Sequence, residues 1–352
     1  MYDFVFITNI PSFYKINLYN LLAKKYKIKV IFIAAKSKIR SGDFYAGEMN
    51  FDHKYINESF YEERSKFITC YEVAKEITST DYKKIIYPGW EVKELFFISL
   101  ITPKSRNCVA VESSILETRK SFLIWHLKKL FMKRMSIGLP SGELQKDIFS
   151  ASGFKGDLIF TNGVGVLNKK FYNINPLDFE SKSLSNKKLR YLYVGRIAQE
   201  KNLELMCKVF SEQNKQLSII GYGPLETSLK AKFDNKITFL GSVNNEELLD
   251  YYKKYDVFVL PSRSEPWGLV VEEALCSGLV IICSDMVGSK KELVLKRNTG
   301  TVFLHNNEES LINAINIVED SYEIYKRNVL QLDRQSFLQE KIIPYTKIIN
   351  RD

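Results

Sequence analysis

The chain reads as an α/β protein made of two doubly wound, Rossmann-like domains, and three observations predict it. Its 352 residues are enough for two cores. Short apolar segments alternate with segments of helical period from the start of the chain. That alternation breaks near Asn168–Asn186, where Asn, Pro and Ser cluster, and then restarts. Such β-α alternation makes a parallel sheet with helices on both faces.

In the first half, Phe4–Thr8 is a short apolar strand, Ile16–Tyr26 a helix and Ile28–Ala34 the next strand. Residues 36–66 are polar and aromatic without a clear period, so loops and a hairpin beside a ligand crevice are expected there. Ile85–Tyr87 and Val109–Glu112 are later strands. Residues 119–136 predict a strongly basic helix. Its Leu123, Ile124, Leu127, Leu130, Phe131 and Met135 share one face, and Lys129, Lys133 and His126 lie opposite, with Phe122 and Trp125 beside them. Two readings of it stand open: a core-packed helix with a solvated basic back, or a helix that contacts a membrane surface.

The second half repeats the pattern. Leu189–Val194, Leu217–Ile220, Ile237–Leu240, Val257–Leu260 and Val280–Cys283 are strand segments, and Leu203–Phe210, Leu225–Phe233, Glu246–Tyr252 and Leu269–Ser277 are helical between them. The tail Asp333–Ile349 is helical in pattern. The expected division is residues 1–170, 171–332 and a final helix in 333–352.

Hydrophobic content of 45% and charged content of 26% are those of an ordinary globular protein. Five scattered cysteines with no C-x-x-C pair suggest reduced core thiols and a cytosolic protein. Met1-Tyr-Asp-Phe-Val-Phe-Ile reads straight into a strand, so no secretory signal is expected, and no apolar run approaches a membrane span. The net charge of +10 is unevenly placed. Residues 1–170 hold 27 Lys+Arg against 17 Asp+Glu, while the remainder holds 24 of each. A basic half beside a neutral one suggests a polyanionic surface partner, with general solubility as the plain alternative.

The most informative stretch is Ser262-Arg-Ser-Glu265-Pro-Trp-Gly268-Leu-Val-Val-Glu-Glu273-Ala-Leu-Cys-Ser-Gly278. It runs from the end of an apolar strand through a Pro/Gly turn into a helix. One carboxylate, Glu265, falls on the loop, and the other, Glu273, is expected just inside the helix N-terminus. Between them, the backbone N–H groups of Gly268, Leu269 and Val270 form an anion site. A ligand that is half anionic and half polyhydroxylated, such as a sugar nucleotide, suits that layout. Arg196 and Lys201 follow another strand that ends in Gly195. A guanidinium fork can grip two oxygens of a diphosphate while a lysine adds a point charge. Taken alone they are also ordinary loop residues, and Glu273 is also an ordinary charge near a helix start. Gly221-x-Gly223-Pro224 alone marks no more than a tight turn. No two aspartates have D-x-D spacing, and His53, His126 and His305 form no cluster, so no metal site is expected.

Glu265-x7-Glu273-Ala274 resembles the E-x7-E signature of retaining glycosyltransferases of the GT-B fold, family 4. Val194-Gly195-Arg196 with Lys201-Asn202 resembles the family's G-R-x4-K-N element. Ile219-Ile220-Gly221-Tyr222-Gly223-Pro224 and Phe239-Leu240-Gly241-Ser242-Val243 fit its next two strand ends. Four elements in order at strand ends make a specific signal. The resemblance implies two domains facing across a cleft, with the last helix crossing back to the first. It implies that Glu265 binds donor-sugar hydroxyls, Glu273 the nucleotide ribose, Arg196 and Lys201 the diphosphate, and Val243 the nucleobase, with Gly221, Tyr222 and Gly223 at the donor. No cofactor and no metal are implied, the nucleotide sugar being a co-substrate.

On the acceptor side, Ser12 and Lys15 follow the first strand, and Glu112 and Ser113 end another. The Gly-Gly pair of many relatives is absent from Ile10–Lys15. The relatives' Asn-Gly-Val-Asp stands here as Asn162-Gly163-Val164-Gly165. The resulting expectation is a retaining, metal-independent glycosyltransferase that uses a UDP-sugar first and a GDP-sugar next. Its acceptor would be a lipid-linked surface glycan such as an O-antigen or capsule repeat. It would work at the cytoplasmic face of an anionic membrane through the basic first half, with no nucleic-acid partner. Rivals are a GT-B sugar-nucleotide epimerase, a non-catalytic glycan-assembly subunit and a nicotinamide-dependent oxidoreductase. The last fails at the third glycine of G-x-G-x-x-G, because Gly221-Tyr222-Gly223-Pro224-Leu225-Glu226 ends in glutamate.

Overall fold

The computed structural model describes residues 1–39, 45, 47–90, 92–117, 122–174 and 188–350. Parts of the expected domain boundary (175–186) and of the expected basic helix (119–121) lie outside them. The chain divides into two compact units, Met1–Asn168 with Phe337–Asp352, and Lys169–Ser336.

The first unit runs β1 (Tyr2–Thr8), α1 (Phe13–Ala23), β2 (Ile28–Phe32), β3 (Asp52–Tyr55), α2 (Lys66–Thr78), β4 (Tyr82–Tyr87), α3 (Leu95–Ile101), β5 (Asn107–Val111), α4 (Phe122–Lys133), β6 (Ile137–Pro140), α5 (Glu143–Ser152) and β7 (Asp157–Leu158). The strands form one parallel sheet in the order β3-β2-β1-β4-β5-β6-β7. Right-handed crossovers then place α1 on one face and α2 to α5 on the other. The core follows this alternation. Val5 and Ile7 of β1 pack with Val73, Ile98, Phe131 and Phe149 of the four-helix layer. Phe6 turns the other way and meets Tyr19 of α1.

The second unit runs α6 (Lys169–Tyr172), β8 (Arg190–Val194), α7 (Leu203–Glu212), β9 (Gln216–Ile220), α8 (Glu226–Phe233), β10 (Thr238–Gly241), α9 (Leu248–Tyr252), β11 (Val257–Leu260), α10 (Leu269–Cys276), β12 (Val280–Ser284), β13 (Gly300–Phe303), α11 (Glu308–Asp320) and α12 (Tyr322–Leu330). Its parallel sheet has the order β10-β9-β8-β11-β12-β13. This is a doubly wound order with its switch point between β8 and β11. Strands β11 and β12 are buried at every position, as expected for a sheet covered on both faces. The last helix, α13 (Arg334–Ile349), begins in this unit, where Arg334 Nε donates to the Cys276 carbonyl. From Phe337 onward it belongs to the first unit, where Tyr345 packs on Phe4 and Phe6.

Several local expectations change. Among its described residues, the segment expected to hold a hairpin holds the short parallel edge strand β3, paired with β2. The apolar stripe expected along α4 is split. Phe131 and Met135 enter the core with Met132, while Ile124, Leu127 and Leu130 are exposed. Strand β13 and helices α11 and α12 were not singled out from sequence. Residues 169–170 and 333–336 group with the second unit because Lys170 Nζ donates to the Glu246 carbonyl and Gln335 Nε2 to the Tyr172 carbonyl.

Candidate functional site

In the second unit, the residues singled out from sequence gather at the carboxyl ends of the strands, where open α/β sheets bind ligands. Gly195 follows β8 and Gly221 follows β9, with φ of 151° and 146°. The two turns lie so close that a Cβ on Gly221 would stand 1.8 Å from the Gly195 carbonyl oxygen. A Cβ on Gly223 would stand 2.3 Å from the Ile197 oxygen. Only glycine lets these loops nest.

Lys201 Nζ lies 2.5 Å from Glu265 Oε2, and both side chains are largely buried. Ser262 Oγ donates to the same oxygen at 3.3 Å. The Arg196 guanidinium pairs with Glu200 one turn on, and the Tyr193 hydroxyl donates to the Arg196 carbonyl at 2.9 Å. Burial, with Glu265 nearby, raises the Tyr193 phenol well above its ordinary range, so it serves as a neutral donor.

Gly268 starts α10 in the left-handed region at φ 89°. The N–H groups of Gly268, Leu269 and Val270 donate to no acceptor among the described residues. They form an open anion site one turn from Glu265. Glu273 lies in the second turn of α10 rather than at its entrance, and Glu272 takes the first-turn place. Both are buried, and each accepts from its own tyrosine: Tyr172 to Glu272 at 2.9 Å and Tyr252 to Glu273 at 3.0 Å. Burial pushes the Glu273 carboxyl up to about 7, against the bond from Tyr252; Glu272 adds to the rise and the Lys170 ammonium opposes it. Trp267 is a packing residue, 2% exposed. Tyr222 and Val243 stand at the ends of β9 and β10, Tyr222 exposed and Val243 half-buried. Tyr193, Ser262, Tyr252 and Tyr172 were missed from sequence. Tyr252 and Tyr172 are far from their partners in the chain and Tyr193 is buried in a strand, so no local pattern marks them; Ser262, three residues before Glu265, lies in the stretch already singled out.

In the first unit, Lys15 Nζ lies 3.0 Å from Glu112 Oε1 and 3.3 Å from Thr8 Oγ1. Burial works against the Lys15 charge, but Glu112 outweighs it and holds the ammonium above the ordinary lysine range. A cavity of about 40 Å³, room for about one water, is lined by Lys15, Tyr19, Glu112, Thr161 and Lys341. Ser12 is buried, and its hydroxyl has no partner among the described residues. Ser113 is half-buried beside Glu112. A larger recess of about 630 Å³ opens at the amino ends of β8 and β9, beside Lys188, Gln216 and Tyr322, away from all these groups. Among the described residues, no group of three or more His, Cys, Asp or Glu could hold a metal ion. No helix among them is long and apolar enough to cross a membrane.

The family Glycosyl transferases group 1 matches residues 175–329. That match covers less than half of the chain and is centred on its second unit. The sulfoquinovosyl transferase SQD2 of Arabidopsis thaliana is 32% identical over 193 residues, covering 52% of this chain and 37% of that protein. An uncharacterized 41.2 kDa protein in the cps region of Klebsiella pneumoniae is 25% identical over 257 residues, 68% of each chain. The chain spans less than half the length of several of the curated relatives it matches. Among solved structures, Anabaena Alr3699/HepE in complex with UDP aligns with a TM-score of 0.70 at 13% identity, over 99% of this chain and 98% of that one. The fold is thus that of GT-B glycosyltransferases, two parallel-sheet α/β domains.

Proposed function

We propose that the protein is a retaining, metal-independent glycosyltransferase that moves a sugar from a nucleotide sugar to an acceptor hydroxyl. The observation that carries this reading is the Lys201–Glu265 pair, placed beside the open N–H groups of α10. It sets a cation for phosphate, a carboxylate for sugar hydroxyls and an anion site within one loop cluster. Glu273, with its tyrosine partner, takes the ribose hydroxyls. The charge on Arg196 and Lys201 would count for more as the departing diphosphate gains negative charge, so it assists the chemical step as well as binding.

The bond from the anomeric carbon to the diphosphate oxygen breaks as the acceptor oxygen bonds to the same carbon on the same face. The acceptor proton passes to the leaving diphosphate, and no protein base is required. A UDP-sugar is the favoured donor and a GDP-sugar the next, the first supported by the UDP held by the Anabaena neighbour. The acceptor is a lipid-linked glycan of the O-antigen or capsule kind, at the cytoplasmic membrane face. The basic charge of residues 1–170 and the cps-region relative support that choice.

The test is thermal unfolding with UDP, GDP, their sugar conjugates and NAD, for the wild type and Arg196→Ala, with and without EDTA. At a hundred times its dissociation constant, a ligand adds about 2.7 kcal/mol. A shift with one nucleotide class that survives EDTA and is lost in Arg196→Ala is expected. A shift with NAD alone would overturn the reading. Release of free nucleotide from the sugar conjugate and water alone, without an acceptor, would favour an epimerase.

A further inference from the structure

The layer of α2, α3 and α4 covers one face of the first unit's sheet, and its outer surface is strongly apolar. Phe67 and Tyr71 of α2, Phe97 and Leu100 of α3, and Leu127 and Leu130 of α4 are all exposed, Phe67 at 83%. Nine of the twenty exposed large hydrophobic residues among those described lie on these three helices. Singly exposed apolar residues are normal; a cluster across three neighbouring helices marks an interaction surface. The helices are joined into one plate. Helices α2 and α3 touch. The Arg134 guanidinium, just after α4, donates to the Ser99 and Thr102 carbonyls at the end of α3. The Lys128 ammonium sits over the Trp90 ring at 4.3 Å, and Trp125 is beside it.

The charge on α3 and α4 has one sign, while α2 carries Glu72 beside its exposed Tyr71. Helix α4 carries Lys128, Lys129 and Lys133 and no acid, and α3 carries no charge at all. Exposed Lys66, Lys93, Lys104 and Arg106 stand at the ends of α2 and α3. Apolar and aromatic side chains ringed by lysines fit the boundary between lipid tails and anionic headgroups. A second copy of the chain fits less well, because a two-fold contact on this face would bring the α4 lysines of both copies together.

We propose that the α2–α3–α4 face is a docking surface for a bilayer containing anionic lipid. Aromatic and aliphatic side chains from three helices enter the interface, and Lys129 and Lys133 pair with headgroups. The face is wider than the single basic helix expected from sequence, and Arg134 is not among its lipid contacts, since its guanidinium already caps α3. The proposed lipid-linked acceptor bears only on the choice of partner, and vesicle binding is read without donor or acceptor.

The whole chain is sedimented with vesicles of phosphatidylcholine alone and of phosphatidylcholine with phosphatidylglycerol. Wild type should bind the anionic vesicles and not the neutral ones. Lys129→Gln/Lys133→Gln should weaken binding roughly tenfold or more. Phe97→Ser/Leu127→Ser should abolish it, and the thermal shift with nucleotide should survive in both variants. Absence of binding by wild type, or equal binding to both vesicles, overturns the proposal. A dimer in sedimentation velocity that Phe97→Ser/Leu127→Ser dissociates would overturn it in favour of a second copy. Loss of the nucleotide shift with vesicle binding intact would count against the transferase reading alone.

Discussion

Lys201 and Glu265, 64 positions apart, form a 2.5 Å ion pair that joins the loop after β8 to the loop before α10. In the unliganded protein each neutralises the other. On the proposed reading, a bound diphosphate competes for Lys201 and leaves Glu265 freer to take sugar hydroxyls. Lys201→Ala should lower kcat about 10²- to 10³-fold, the range for loss of one preorganised charge contact. Glu265→Gln should act mostly on transfer and little on binding of free UDP. The double variant should lose less than the product of the two single effects, because each single change strands a charge. Turnover and UDP titration of the four proteins check this; strictly multiplicative losses would mean that the pair has no joint role.

Glu273 gives the protein a pH signature. Its carboxyl rises from an ordinary 4.5 to about 7, chiefly through burial. The folded state thus holds a proton that the unfolded chain releases between those values. Stability is higher below the window and declines as pH climbs through it, by at most about 3 kcal/mol. Glu273→Gln should flatten that decline in urea unfolding measured from pH 5 to pH 8. UDP binding should strengthen over the same climb if the ionised carboxylate grips the ribose, and the dependence should vanish in Glu273→Gln. A wild-type binding curve flat in pH would remove Glu273 from the ribose role.

The nested glycine turns make a sharper stability test. Gly221→Ala drives a Cβ to 1.8 Å from the Gly195 oxygen at a φ of 146°. Backbone cannot yield there as a flexible side chain would, so a loss of about 3 kcal/mol or more is expected. Gly153→Ala, with open space around its Cβ and φ of 69°, should cost about 1 kcal/mol. Chemical denaturation of both variants reads the difference.

What sequence made legible was local. Glycines after apolar runs, the E-x7-E spacing and the Arg/Lys pair each sit within a few residues of a strand end, and the structure places them there. Their partners were not legible. Tyr252 looks like an ordinary helix aromatic until the fold sets it on Glu273, 21 positions away. Tyr172 stands 100 positions from Glu272. The α4 stripe misled for a related reason. Helical period says which residues share a face, but not where a neighbouring helix ends and water begins. Nothing in the sequence around Arg134 shows that the end of α3 needs a cap.

The last helix has a consequence for how the protein is made. Tyr345 fills the aromatic cluster around Phe4 and Phe6, and Thr346 bonds the Tyr26 hydroxyl. A ribosome delivers those phenylalanines almost a whole chain before the tyrosine that covers them. The part of the α1 face that Tyr345 covers therefore stays open while the second unit emerges. Translation order and folding order run against each other here. Until Tyr345 arrives, Tyr19 and Tyr26 give the β1 aromatics part of their cover.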